Sequence, residues 1–272
     1  MARTYAFIDG AAFEYGVAHL LRDLGASFED INWDALTRNA DRIFYFDALP
    51  TRKNGEDSIA FEQRLEAKQT NLARLRRVPN MHVREGFTRI RENTKRPAIS
   101  QKGVDIALAV EVLLHAHLGN IENARLFLND LDFFPLLESL TNTRVRTELF
   151  YSREKTAKEL LEVADISEEI SHYSLLCCLP QRLRDSLSIE GKSHVDFDDA
   201  VPLRKGHTKF GEVTLYFSKV GGKYFVEGCV EGGPYECSCC SDKILISYFE
   251  IVGLGHIIWD SPKNDVAMEP RK

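Results

Sequence analysis

The sequence predicts an α/β fold up to about residue 170, in which helices cover both faces of a parallel β-sheet. Three observations support this prediction. Short apolar stretches alternate with longer segments of helical periodicity. These segments are long enough to form right-handed crossovers between parallel strands. From about Ser188 the pattern changes to short strands with glycine turns, which indicates a small β-rich C-terminal domain.

The first three elements follow the order strand, helix, strand. "TYAFI" at 4–8 has the apolar character of a buried strand. "AAFEYGVAHLLRDLG" at 11–25 has the apolar spacing of a helix that ends at Gly25. "RIFYFDAL" at 42–49 is aromatic and β-branched, and it predicts a second strand.

A long charged helix and a short strand come next. The helical pattern runs from about Ser58 to Arg77. Its apolar stripe consists of Phe61, Leu65, Leu72 and Leu75. "MHVREGF" at 81–87 predicts the third strand.

One more helix and two more strands complete the α/β pattern. "KGVDIALAVEVLLHAHLG" at 102–119 predicts a helix that ends at Gly119. "ARLFLN" at 124–129 and "VRTELFY" at 145–151 predict the fourth and fifth strands.

The chain is predicted to consist of two domains. The first spans 1–170, and a β-rich domain of unassigned role spans 188–272. The segment 171–187 is predicted to be a linker or a helical connection. Within the second domain, "EVTLYFSKVGGKYFVEGCV" at 212–230 predicts a hairpin with its turn at "VGGK".

Four cysteines of the second domain raise the question of a zinc site. They are Cys229, Cys237, Cys239 and Cys240. Their spacing lacks the paired C-x-x-C of a zinc knuckle. Reduced cysteines packed as small apolar residues are the favoured interpretation, and we expect no zinc.

Composition and charge limit the function classes. The 272 residues are 44% hydrophobic and 28% charged, as in soluble globular proteins, and no apolar stretch approaches the roughly 20 residues of a membrane helix. "MARTYAFIDG" does not resemble a signal peptide, so we expect a cytoplasmic protein whose cysteines are thiols or metal ligands. The net charge of -6 argues against whole-surface affinity for nucleic acid, but it permits a local basic patch.

Four aspartates lie next to predicted strand ends or helix starts. Asp9 follows the first strand, and Asp105 lies in the first turn of the helix at 102–119. Asp130 and Asp132 follow the fourth strand. Any one of them alone has a structural explanation as a helix N-cap or a first-turn acid. In open parallel sheets, however, functional groups gather at the carboxyl ends of strands where the strand order reverses.

The four acids together indicate a metal site. If the first and fourth strands are neighbours, Asp9 and Asp130 or Asp132 come within a few Å of each other, and such charges repel unless a cation lies between them. Because no histidine or cysteine accompanies these acids, the ligands favour Mg²⁺ or Mn²⁺ over zinc. A bound ion of this kind lowers the pKa of a water and stabilises charge that develops on a phosphate.

Four motifs carry a family resemblance. They are "FIDG" at 7–10, "QKGVDIALAVEVL" at 101–113, "DLDFFPLLE" at 130–138 and "KELLEVAD" at 158–165. In this order they resemble the NYN domain, a LabA-like branch of the PIN-like nucleases, over about residues 1–170. The resemblance implies a three-layer αβα sandwich and a divalent-metal-dependent endoribonuclease. The acidic residues of the family map onto Asp9, Asp105, Asp130 and Asp132.

The chain departs from the family pattern at two positions. The family usually has Asn three residues after the first aspartate, where this chain has Ala12. It usually has Ser two residues before the third acid, where this chain has Leu128. These departures remove two polar groups near the metal, but all four charges that would hold the ion remain. We therefore favour a competent enzyme.

A basic stretch precedes Asp105. Between Arg74 and Lys102 there are nine lysines and arginines but only two glutamates. This stretch is either a loop that contacts phosphates or a solvated charge run, and its proximity to Asp105 favours RNA. The predicted substrate-binding residues are Arg89, Arg91, Lys95, Arg96 and Lys102.

Three functions remain open. The favoured one is cleavage of single-stranded RNA, with the C-terminal domain selecting a substrate or a protein partner. The second is a non-catalytic RNA-binding or assembly module on the same scaffold. The third is a DNA flap or single-strand nuclease, which differs in how the 2′-OH is read. We expect no membrane partner, and the sequence is compatible with self-association.

Overall fold

The computed structural model describes residues 2–53, 55–89, 100–153, 155–187, 189–191, 200–219, 221–231, 233–253 and 255–260. The chain divides into two compact units, Met1–Ile170 and Ser171–Lys272.

The first unit alternates strands and helices. Its described strands are β1 (Thr4–Asp9), β2 (Arg42–Asp47), β3 (Met81–Glu85), β4 (Phe87–Arg89), β5 (Ser100–Lys102), β6 (Asn123–Phe127), β7 (Arg146–Tyr151) and β8 (Ile166–Glu169). Its described helices are α1 (Gly10–Asp23), α2 (Trp33–Leu36), α3 (Ser58–Leu75), α4 (Val104–His117), α5 (Phe134–Thr141) and α6 (Lys158–Val163). Short 3-10 turns lie at Phe28–Asp30 and Leu131–Phe133.

Six of these strands form one parallel sheet in the order β3-β2-β1-β6-β7-β8. The first strand pairs with β2 on one side and with β6 on the other, so the winding direction of the chain reverses between them. Open parallel sheets form ligand crevices at such a reversal. The predicted α/β class is confirmed, and the first and fourth predicted strands, β1 and β6, are neighbours.

Helices cover both faces of the sheet. On one face, Phe7 of β1 lies in a core cluster with Leu108 and Val112 of α4. On the other face, Phe13 of α1 packs edge-on against Phe127 of β6, with ring centroids 5.9 Å apart. Burying an apolar side chain of this size contributes about 1.5–3 kcal/mol. The first unit is therefore a three-layer αβα sandwich.

The element boundaries differ from the prediction in one place that matters for the site. The second strand ends at Asp47, two residues before the predicted end at Leu49. The sheet also has a strand that the sequence does not predict, β8, with the sequence "ISEE". It is short and contains no apolar run, which its position at the edge of the sheet permits because edge strands tolerate charge.

The second unit is built around an antiparallel sheet. Its described strands are β9 (Glu190–Gly191), β10 (Ala200–Thr208), β11 (Gly211–Ser218), β12 (Lys223–Val230), β13 (Gly233–Cys239) and β14 (Ile258–Trp259), in the order β14-β10-β11-β12-β13-β9. Its described helices are α7 (His172–Leu176), α8 (Gln181–Ser186) and α9 (Asp242–Val252). The predicted hairpin corresponds to β11 and β12, in which Ser218 lies opposite Lys223.

Residues 171–187 contain α7 and α8 and pack within the second unit. The backbone N–H of Tyr173 donates to Ser247 Oγ at 3.0 Å. The rings of Tyr173 and Tyr248 lie 4.8 Å apart between centroids. In the β-sheet, burial raises the pKa of Cys237 to about 12 and that of Cys239 to about 11, so both are protonated thiols at neutral pH. The expected absence of zinc stays a prediction.

None of the described helices combines the length and the apolar character that a membrane-spanning helix requires.

Candidate active site

A cavity of about 750 Å³ lies at the carboxyl ends of β1, β2 and β6. Its polar lining consists of Asp9, Tyr15, Asp47, Asp105, Asn129, Asp130, Lys155 and Thr156. Parallel strands end at the same edge of a sheet, so the residues at their exits converge. The structure therefore brings three of the four predicted acids, Asp9, Asp105 and Asp130, to one cavity, together with a fourth acid, Asp47, that was not predicted.

Asp9 is both a helix cap and a cavity residue. It is 7% exposed, and its Oδ1 accepts a hydrogen bond from the backbone N–H of Ala12 at 3.1 Å. Burial is the main cause that raises the pKa of Asp9 to about 6. The Ala12 amide lowers this pKa, whereas the carboxylates of Asp105 and Asp47 raise it. Ionisation of Asp9 is thus less favourable than in water, and a cation bound nearby would favour it.

Asp105 lies in the first turn of α4. The N-cap of α4 is Gly103, with a φ of 97° in the left-handed region that favours glycine. Burial raises the pKa of Asp105, and the charges of Asp130 and Asp132 raise it further. Asp105 and Asp130 line the same cavity, so a cation bound there would reduce this repulsion.

Asp130 and Asp132 differ in their relation to the cavity. Asp130 precedes the 3-10 turn at Leu131–Phe133, and its Oδ1 accepts a hydrogen bond from the backbone N–H of Asp132 at 3.1 Å. The cavity lining includes Asp130 but not Asp132. Asp9 and Asp130 are therefore N-caps, as the structural alternative expects, and they line the cavity as well.

The donor chemistry of the cavity fits a hydrated divalent ion. Among the described residues, no three His, Cys, Asp or Glu side chains lie close enough together to hold a metal ion by themselves. Mg²⁺ usually keeps several waters and binds one or two carboxylates together with substrate phosphates. Carboxylates line this cavity, so the residues fit Mg²⁺ or Mn²⁺ held through few protein ligands better than an ion enclosed by protein.

Asp47 is held by an ion pair with a residue of α3. It is 1% exposed and pairs with Lys68. The Lys68 ammonium also donates to both carboxylate oxygens of Glu14, at 2.9 and 2.8 Å. The buried Tyr45 hydroxyl donates to Glu14 Oε1 at 2.9 Å. The signal for Asp47 in the sequence is its position at a strand exit, which the predicted strand end at Leu49 concealed.

The two partners of this ion pair have opposite responses to burial. Burial raises the pKa of Asp47 and outweighs the lowering by Lys68. Burial acts to lower the pKa of Lys68, but its contacts with Asp47 and Glu14 reverse this effect and raise the pKa. Asp47 therefore depends on Lys68 to remain charged inside the fold.

Asn129 joins three segments that border the cavity. Its Nδ2 donates to the backbone oxygen of Ala12 at 3.3 Å. Its Oδ1 accepts from the backbone N–H of Ser152 at 3.2 Å and from Thr156 Oγ1 at 2.7 Å. These bonds fix the start of α1, the exit of β6 and the segment after β7. The neighbouring Asp130 is positioned as a consequence.

The two departures from the family pattern have different surroundings. Ala12 lines the cavity, so a polar group is missing there. Leu128 is fully buried in the core cluster that contains Leu108. A leucine at this position fills the core instead of facing the acids.

Gly10, directly after Asp9, is required by close packing. A Cβ at this position would lie 2.5 Å from Tyr45 Cε1 and 2.8 Å from Asp47 Oδ2. Tyr45 is fully buried, so its ring has no room to move away.

Replacing Gly10 by alanine is expected to destabilise the protein by about 1–3 kcal/mol, because a buried ring and a buried carboxylate must shift. The measurement is the free energy of unfolding in urea. Gly221→Ala is the matched control, since the nearest heavy atom to its Cβ would be Ser218 Oγ at 3.5 Å. Equal unfolding midpoints for the Gly10 variant and the wild type would contradict this packing.

The structure describes only two of the five predicted basic residues, Arg89 and Lys102. Arg91, Lys95 and Arg96 lie outside the described residues. Arg89 ends β4 and Lys102 ends β5, and these strands pair antiparallel. Three earlier arginines of the same stretch form ion pairs, Arg74 with Glu29, Arg76 with Glu85 and Arg84 with Glu111. Three cations that were not predicted line cavities instead: Lys155 lines this cavity, and Arg64 and Lys68 line a neighbouring one.

Comparison with known proteins identifies the family of the chain and a weak similarity to solved structures. The family model described as NYN domain matches residues 3–171. No curated protein matches the chain. A crystal structure of a protein of unknown function from Vibrio parahaemolyticus is 12% identical, with a TM-score of 0.44, and the similarity covers 62% of this chain and 93% of that chain.

Proposed function

The chain belongs to the NYN domain family of PIN-like nucleases, and from this premise we propose that it is a divalent-metal-dependent endoribonuclease that cleaves single-stranded RNA. The observation that carries the proposal is the convergence of strand-exit acids on one cavity at the reversal of strand order.

The acidic lining of the cavity supports a cation site that uses few protein ligands. Asp9, Asp105 and Asp130 line the cavity, and Asp132 adds its charge through its effect on Asp105. Their mutual repulsion is relieved when a cation binds. Mg²⁺ or Mn²⁺ bound there would activate a water and stabilise charge on the phosphate.

The remaining groups of the cavity would position the RNA strand. Lys155 supplies a positive charge for a phosphate oxygen, and Asn129 keeps the wall of the cavity rigid. The basic residues Arg89, Arg91, Lys95, Arg96 and Lys102 would add phosphate contacts along the strand. A cytoplasmic location and a protein partner for residues 188–272 are part of the same proposal.

A non-catalytic RNA-binding module is the second candidate. It is favoured by Ala12, which leaves the cavity without the amide that the family usually has there. Both candidates bind RNA, so only cleavage separates them. The third function, a nuclease that cleaves DNA, differs from the first candidate in its substrate.

The test is a cleavage assay on labelled single-stranded RNA and DNA with Mg²⁺, Mn²⁺ or EDTA. We expect cleavage of RNA with either metal and none with EDTA. Asp130→Asn should suppress cleavage by orders of magnitude, because it keeps the cap but removes a charge. The control Asp57→Asn changes an exposed N-cap of α3 outside the cavity and should cleave normally. RNA binding without cleavage by the wild type would favour the non-catalytic module, and cleavage of DNA alone would favour the third function.

A further inference from the structure

Tyr15 occupies an unusual position beside the acidic cavity. It lies on α1, it is 67% exposed, and it lines both the acidic cavity and a second cavity of about 590 Å³. An aromatic ring that is exposed between two cavities can stack against a flat ligand. The two cavities also share Ala11 and Asp47, so they are adjacent.

The second cavity has balanced charges. Its charged lining consists of Glu14, Asp47, Arg64 and Lys68, two acids and two bases. Both bases are already paired, Lys68 with the two acids and Arg64 with Glu56. Among the described residues that line this cavity, no unpaired positive charge is left for a phosphate, so the cavity suits a neutral group. The small apolar residues Ala67 and Pro50 complete a wall of the kind that flat ligands contact.

Unlike the two bases of the second cavity, Lys155 has no acidic partner among the described residues. It lines the acidic cavity but not the second one, and its Nζ lies 5.0 Å from the centroid of the Tyr15 ring. Among the described residues, no carboxylate lies within salt-bridge distance of this ammonium. It is therefore available to a phosphate, and the exposed Tyr15 ring, which also lines the second cavity, is available to a base.

We propose that Tyr15 and the second cavity form a nucleobase-stacking subsite, and that Lys155 binds the phosphate next to the one that is cleaved. This inference rests on the proposed nuclease function and identifies where its single-stranded substrate lies. Every nucleobase has an aromatic face, so the subsite tolerates different sequences. Its preference is for unpaired strands, because a paired base cannot leave its stack to reach Tyr15 without an energy cost.

The test measures binding of a fluorescent oligouridine and of an abasic ribose-phosphate strand of equal length, by anisotropy in Ca²⁺, with the strands checked to be intact. Tyr15→Ala should weaken binding of oligouridine about tenfold and leave the abasic strand unaffected. Tyr15→Phe keeps the ring and should bind both strands as the wild type does. Lys155→Ala should weaken binding of both strands. It should also reduce the magnitude of the slope of log affinity against log salt concentration by about one. The control Lys158→Ala, an exposed lysine outside both cavities, should change neither.

The outcomes separate this inference from the proposed function. Three results would overturn the stacking subsite. Tyr15→Ala could weaken binding of the two strands equally, or it could weaken binding of neither. The third is a wild type that binds neither strand. A wild type that shows the expected pattern but cleaves nothing with Mg²⁺ or Mn²⁺ would leave the subsite supported and refute the nuclease.

Discussion

Replacing Asp9 by asparagine is expected to remove at least about 99% of the nuclease activity while making the metal-free protein more stable. Asparagine keeps the size of the side chain and can still accept the hydrogen bond from the Ala12 amide. What it removes is a buried negative charge next to Asp105 and Asp47. A metal ligand and a simple cap therefore give opposite results in this experiment.

The stability effect of this substitution has a defined pH dependence. The pKa of Asp9 is 3.8 in the unfolded chain and about 6 in the folded protein, so the folded state binds this proton more tightly. The stability that the protonated form contributes is present below about pH 4 and is lost as the pH rises through about 6. A shift of this size corresponds to roughly 3 kcal/mol of folding free energy, which the wild type loses when Asp9 ionises. Asp9→Asn cannot ionise at this position, so it does not lose this stability. In urea unfolding without metal, we expect the free energy of unfolding of the variant to exceed that of the wild type by roughly 1–3 kcal/mol at pH 8. At pH 4 the two values should be equal.

The matched control for Asp9 is again Asp57→Asn. Asp57 caps α3 through hydrogen bonds from the Ile59 and Ala60 amides and is exposed. Its substitution should cost a few tenths of a kcal/mol and leave cleavage unchanged. If the Asp9 variant behaved like this control in both assays, Asp9 would be a cap and nothing more.

Replacing Lys68 by methionine is expected to cost about 3 kcal/mol of folding free energy, because it leaves the buried Asp47 carboxylate without its partner. Methionine has a similar length and keeps the apolar contacts of the lysine chain. Without the ammonium, the pKa of Asp47 rises further, so the loss is larger at pH 8 than at pH 5. The measurement is urea unfolding at both pH values.

A double variant separates the ion pair from packing. Asp47→Asn together with Lys68→Met should recover part of the lost stability, since the side chain at position 47 then carries no buried charge, whereas Glu14 still lacks the Lys68 ammonium. Lys155→Met is the control for loss of an exposed lysine and should change stability by less than about 0.5 kcal/mol. Additive losses in the double variant would show that Asp47 and Lys68 are not energetically coupled.

Much of the fold and part of the site follow from the sequence. Strand exits can be located because a buried strand needs an apolar run, and Asp9 and Asp130 each follow such a run. Their convergence then follows from parallel pairing, since β1 and β6 are neighbours. Asp105 can be predicted from its position at the start of a helix, because hydrophobic periodicity shows where the helix begins.

The missed residues depend on details that periodicity does not contain. Asp47 was hidden by a two-residue error in the end of β2, and strand ends are weakly marked when a small apolar residue follows. Lys68 lies 21 positions after Asp47, and the rotation of α3 about its axis decides that they meet. Lys155 and Tyr15 are brought together by segments far apart in the chain. Such contacts are properties of tertiary packing.

The most direct test of the metal site is a titration of Mn²⁺ followed by the electron paramagnetic resonance signal of the free ion. The account predicts that the wild type binds Mn²⁺ at millimolar or lower concentration, more tightly as the pH rises above about 6, because Asp9 must lose its proton. Asp9→Asn and Asp130→Asn should bind it much more weakly, and Asp57→Asn should bind it as the wild type does. A wild type that leaves all Mn²⁺ free, or acid variants that bind it with unchanged affinity, would contradict the assignment of this cavity as a metal centre.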